Sequence, residues 1–121
     1  MKLKKFMLSF KYAGHGLKDV FKQEQNFRFH TSAAVITIAA GIFFRISLLE
    51  WVIIILAIGS VMGLELINTA VERTVDLIST DHHPLAKKAK DAGAASVLVF
   101  SIAAAIVGAI IFIPKVISYF T

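Results

Sequence analysis

Three carboxylates and one carboxamide share a single stripe in the run Glu65-Leu66-Ile67-Asn68-Thr69-Ala70-Val71-Glu72-Arg73-Thr74-Val75-Asp76. On a helix turning about 100° per residue, Glu65, Asn68, Glu72 and Asp76 fall at about 0°, −60°, −20° and +20°. Leu66, Ile67, Val71 and Val75 point elsewhere. The run follows Trp51 to Leu64, which carry no charge. With Trp51 as the mark of a membrane interface, a rise of about 1.5 Å per residue sets Glu65 roughly 21 Å along and Glu72 roughly 31 Å, against an apolar layer about 30 Å thick. The stripe then runs from inside a bilayer out into water. A charge at mid-bilayer costs about 2.5–3.5 kcal/mol even on the lenient insertion scale, so such residues usually face a protein interior and serve a function.

The spacing suits one chemistry in particular. A carboxylate inside the bilayer margin can reach a lipid headgroup, where a general base would act. Glu72 lies about 10.5 Å further along, placed for a metal ion and phosphates. Hard Mg²⁺ takes carboxylate oxygens together with substrate phosphates, and Glu24 is a candidate second ligand. Lys90 can neutralise charge developing on a transferred phosphoryl group. The set suits phosphoryl transfer from a nucleotide to a lipid hydroxyl. Neither a G-x-x-x-x-G-K-[ST] run nor a kinase-type glycine loop is present, which excludes the known soluble nucleotide folds. Adjacent histidines such as His82-His83 point apart on a helix and rarely chelate one metal, so contact with a nucleotide is the better reading. Two other classes would use the same stripe. A small oligomeric channel predicts ion flux without ATP turnover, and a purely structural bundle predicts tolerance of Glu65→Gln and Glu72→Gln.

These residues need a membrane scaffold. Of 121 residues, 57% are hydrophobic, and the mean hydropathy of +0.75 is too apolar for a soluble protein of this size. One domain, 1–121, is expected. The absence of cysteine excludes disulfides, thiolate chemistry and Cys-type zinc sites. The formal charge is +5, but the bases sit in blocks flanking apolar segments, a pattern for anionic lipid and topology rather than nucleic acid.

Residues 3–23 read as an amphipathic surface helix. Leu3, Phe6, Met7, Phe10, Ala13, Leu17 and Phe21 form an apolar stripe, and Lys4, Lys5, Lys11, Lys18 and Lys22 lie off it. No uninterrupted apolar core or cleavage site marks it as a signal peptide. Gly14 and Gly16 predict a local weakening or kink. Three spans follow, at about 28–47, 49–79 and 85–114, the second including a cytoplasmic extension. Thr31 to Phe44 alone is short for a span and is lengthened by Phe27, Phe29, His30 and the stem of Arg45. Ser79-Thr80-Asp81-His82-His83-Pro84 predicts the stop after the stripe, and Pro114-Lys115 the end of the last span. Seven bases in residues 1–30 and four in 73–90, against one in the 45–51 turn, predict a cytoplasmic N-terminus and a cytoplasmic end for the stripe.

Glu65 to Asp76 resembles the E-[LIM]-x-N-[ST]-A-[IV]-E-x-x-V-D signature of the small prokaryotic diacylglycerol kinase family. The run A-K-D-A-G-A-A-x-V-L from Ala89 to Leu98 matches its second block, and the register of Tyr12 and Glu24 agrees without gaps. The resemblance implies an all-α integral membrane protein in a bacterial plasma membrane, a homotrimer whose active sites are shared between neighbours at the cytoplasmic face. It implies Glu65 as the base that deprotonates a lipid alcohol, Glu24 and Glu72 as Mg²⁺ ligands, and Asn68 as a guide for the γ-phosphate. It implies ATP contacts from Tyr12, Asp81, His82, His83, Lys90 and Asp91. Two departures bear on the acceptor. Ala94 stands near the lipid site where the diacylglycerol branch has serine, and Lys5 stands where that branch has arginine. His83-Pro84-Leu85-Ala86-Lys87 looks like the Gram-positive branch, whose members phosphorylate undecaprenol, which makes undecaprenol the expected acceptor and diacylglycerol the alternative.

Overall fold

The structure, a computed structural model, is all-helical and describes residues 2–79 and 81–121; Thr80, within the expected stop after the acidic stripe, lies outside the described residues. The first helix, α1, spans Lys2–Gln23. Gly14 and Gly16 do not interrupt it, and both face open space. Glu24, extended at φ −112° and ψ 111°, turns the chain directly into α2, Gln25–Phe43. Arg28 closes this junction by donating to the carbonyls of Phe21 and Lys22 at 2.7 and 2.8 Å, which satisfies acceptors at the end of α1.

At its other end α2 stops in a Schellman turn. The N–H of Ile46 reaches the carbonyl of Gly41 at 3.1 Å, and that of Arg45 reaches Ile42 at 3.3 Å. Arg45 adopts φ 52° to allow this. That left-handed conformation costs a side-chain-bearing residue about 1–2 kcal/mol, whereas glycine adopts it freely. Arg45→Gly is therefore expected to stabilise the protein by about 1 kcal/mol in detergent unfolding curves. An unchanged or lower midpoint would show that the arginine side chain offsets the strain.

Ser47 then starts α3, Leu48–Ile78, with a capping box: its hydroxyl accepts from the Glu50 N–H at 3.2 Å while Glu50 accepts from the Ser47 N–H at 2.9 Å. The helix is 31 residues long, about 46 Å. The last helix, α4, spans Pro84–Phe120, with His83 as its cap and Pro84 in its first turn. It does not end at Pro114-Lys115 as expected but runs through the proline to Phe120. Proline removes one backbone N–H and crowds the preceding turn. Tertiary contacts hold the segment beyond it. Lys115 donates to Glu50 at 3.0 Å, and Tyr119 packs against Phe43 and Phe44 with ring centroids 5.5 and 6.2 Å away.

Antiparallel α3 and α4 form the main packing pair, with α2 laid against α3 and α1 touching both α2 and α3. The apolar core lies toward the α2–α3 turn, where Ile46, Ile54 and Ile111 are buried among Trp51, Phe44 and Phe112. Elsewhere large apolar side chains point outward: Ile36, Ile55, Leu98 and Ile110 are each 60% exposed or more, as lipid-facing helices are. Two described helices, α3 and α4, are long and apolar enough to cross a membrane. Gln25, Asn26, Arg28 and His30 make the first turns of α2 polar.

Candidate functional site

Glu65 sits on the packed face of α3 and is only 4% exposed, with Thr69 buried one turn further along. Facing it from α2 is His30, whose Nε2 lies 3.2 Å from Glu65 Oε1. Phe29 braces the imidazole in an edge-on contact at 5.7 Å between centroids. His30 also lines the apolar cleft of about 320 Å³ between α2, α3 and α4. Small side chains open this cleft: Ala33 and Ala34 on α2, Ala57 on α3, Ala104 and Ala105 on α4. Ser101 reaches into it with a buried hydroxyl that finds no partner among the described residues. Glu65 does not itself line this cleft and meets it through His30, so the buried acid stands close behind the wall of an otherwise greasy space suited to an apolar molecule.

One turn along α3, Asn68 Nδ2 donates to Glu72 Oε1 at 3.3 Å. Asn68 Oδ1 is buried without a partner among the described residues. The amide rests over Gly93 of α4, where a Cβ would collide with that oxygen. Gly93→Ala is accordingly expected to push the Asn68 amide aside and lower turnover by about 10-fold while the fold survives, because a small misplacement of a positioning group is costly. Native kcat in that variant would show that Asn68 is not held in place by Gly93.

Glu24 occupies the N-cap of α2 but makes no side-chain capping hydrogen bond, so its carboxylate is not consumed there. Among the described residues no three histidine, aspartate or glutamate side chains form a group that would hold a metal alone. Mg²⁺ does not require one, since it is commonly bound by one or two carboxylates plus waters and substrate phosphates. The carboxylates of Glu24 and Glu72 are hard oxygen donors of the kind such an ion takes.

A second crevice, about 570 Å³, opens where α3 gives way to α4. It brings together Asp81, His82, His83, Lys90 and Asp91, all singled out from the sequence, and adds Asp76. Lys90 pairs with Asp76 across the two helices, and Lys87 donates to Asp91 at 2.6 Å. His83 Nδ1 accepts from the Leu85 N–H at 3.1 Å, which leaves Nε2 for other use. The N-terminal end of α4 meets this space with its backbone donors, a setting favourable to anions. Tyr12 on α1 is 62% exposed and Ala94 on α4 is exposed; neither lines either crevice. Asp19 of α1 pairs with Arg73 of α3 and fastens the first helix near Glu72.

Comparison with known proteins matches residues 11–112 to the family described as Prokaryotic diacylglycerol kinase. The chain is 49% identical over 113 residues to an undecaprenol kinase of Bacillus subtilis, covering 93% of this chain and 92% of that one. It is 40% identical to a diacylglycerol kinase of Synechocystis, over 93% of this chain and 65% of the relative. A diacylglycerol kinase of Haemophilus influenzae is 43% identical over 75% of this chain and 77% of its own.

Proposed function

Because the chain belongs to the prokaryotic diacylglycerol kinase family, we propose that it transfers the γ-phosphoryl group of ATP to undecaprenol, forming undecaprenyl phosphate and ADP. Membership makes it a lipid kinase that uses ATP as donor, and with the two membrane-length helices a membrane protein. The choice of acceptor is carried by one observation, the greater identity to the Bacillus undecaprenol kinase along nearly the whole of both chains. A buried acid beside an apolar cleft supports a lipid alcohol of either kind.

In this reading α2 is a third span, α1 lies on the cytoplasmic surface, and the Pro84 end of α4 faces the cytoplasm. The blocks of bases around these segments support that orientation. Three copies assemble, and Tyr12 and Ala94, outside both crevices of a single chain, complete the site of a neighbour. ATP enters the crevice at the start of α4, with its phosphates toward the helix N-terminus. Lys90 exchanges Asp76 for the charge of the transferred group, and Asp81, His82, His83 and Asp91 hold the nucleotide. Glu65 accepts the proton of the lipid hydroxyl. The hydroxyl oxygen then bonds to the γ-phosphorus, the bond to the β–γ bridging oxygen breaks, and ADP leaves. Asn68 guides the γ-phosphate. Glu24 and Glu72 hold Mg²⁺, which when bound neutralises charge on the β- and γ-phosphates.

The test is ³²P transfer from Mg·ATP in mixed micelles, with undecaprenol and diacylglycerol offered separately and Glu65→Gln as control. Transfer to undecaprenol that vanishes in the control supports the reading. Preferential transfer to diacylglycerol moves the chain to the alternative acceptor. No transfer to either lipid removes the acceptor assignment and returns the stripe to a structural or conducting role.

A further inference from the structure

Glu65 and His30 belong to different helices, and their contact joins α2 to the acidic stripe. Both side chains are largely withdrawn from solvent, at 5% and 19% exposure. The terminal torsion of a glutamate is broad and nearly two-fold, so an unpartnered carboxylate at this place would swing freely. An imidazole nitrogen 3.2 Å from Oε1 restricts that freedom. His30 is itself held, with Phe29 against its ring, and it forms part of the wall of the cleft. At 3.2 Å the two groups are in ion-pair contact without the alignment of a hydrogen bond, and apo contacts of this kind commonly tighten once the substrate is in place.

We propose that His30 is the positioning residue of the base: its Nε2–H fixes one oxygen of Glu65 so that the other faces the acceptor hydroxyl at the cleft. The inference rests on Glu65 being the base, as set out above. His30 does not touch the reacting atoms. It acts through Glu65, and what matters is a donor at the reach of Nε2, not the imidazole as such.

Three substitutions separate this from a packing role. Glutamine carries an amide nitrogen about as far from the backbone as Nε2, asparagine reaches only as far as Nδ1, and phenylalanine fills the space without a donor. His30→Phe and His30→Asn are expected to lower kcat by about 10²-fold, the scale of an ångström of misplacement, with little change in KM for lipid or Mg·ATP. His30→Gln is expected to recover most of that loss. Each variant is first checked for native elution and helix content in detergent, and the asparagine and glutamine pair, alike in chemistry, carries the decision if the phenylalanine variant misfolds. Equal kcat in the asparagine and glutamine variants overturns the proposal, as does a loss confined to the lipid KM, which would make His30 a wall of the cleft. A native protein without kinase activity, or a fully active Glu65→Gln variant, overturns the base assignment and this inference with it.

Discussion

Glu65→Gln is expected to fold and assemble normally and to lose phosphoryl transfer by about 10²–10⁴-fold, the range typical for a positioned general base. The substitution is close to ideal at this position. Glutamine keeps the length and volume of the side chain, and its carbonyl oxygen can still face His30 Nε2, which lies 3.2 Å from the corresponding oxygen of the native residue. Packing on the buried face of α3 is therefore preserved, and the α2–α3 contact with it. What the amide lacks is an oxygen that can take a proton. Initial rates at saturating lipid and Mg·ATP, set beside elution volume and helix content in detergent, separate loss of chemistry from loss of fold. A rate within a few-fold of native would remove Glu65 from the reaction.

Glu72→Gln is expected to raise the Mg²⁺ concentration needed for half-maximal rate and to lower kcat by about 10²-fold, since metal stabilisation of a phosphoryl group is worth several kcal/mol. Here too the substitution spares the neighbours. The 3.3 Å bond from Asn68 Nδ2 needs only an acceptor oxygen at residue 72, which glutamine supplies, so Asn68 keeps its seat over Gly93. Only the negative charge is removed. Titration of Mg²⁺ at fixed ATP reads the rate, and Mn²⁺ binding followed by electron paramagnetic resonance reads occupancy without turnover. An unchanged titration together with unchanged Mn²⁺ binding would exclude Glu72 as a ligand.

Much of this arrangement is legible in the residues. Polar positions spaced on one helical stripe locate Glu65, Asn68 and Glu72, because a 3.6-residue period survives in a long uninterrupted helix. Five residues near the start of α4 meet in one crevice because they are close along the chain. Contacts between distant segments were not legible. His30 lies in a polar break that reads only as the lead-in to a span, and nothing along the chain says that it will face a residue 35 positions away. Lys90 reads as free for a phosphate, yet Asp76 holds it across the α3–α4 interface. The passage of α4 through Pro114 was hidden for the same reason: the local rule points to a break, and Glu50 and the ring of Phe43, far upstream in the chain, outweigh it.

The unbroken course of α3 from Leu48 to Ile78 has a consequence for how the protein measures its substrates. Glu65 and Glu72 stand two turns apart on one stiff rod, so neither can be brought nearer to the other without unwinding it. In the proposed mechanism the helix works as a ruler, and the gap between its two marks is bridged by the reactants, a phosphate chain descending from one side and a hydroxyl rising from the other. Any motion during turnover then falls to parts that flank the rod, such as the first helix clipped by Asp19 to Arg73.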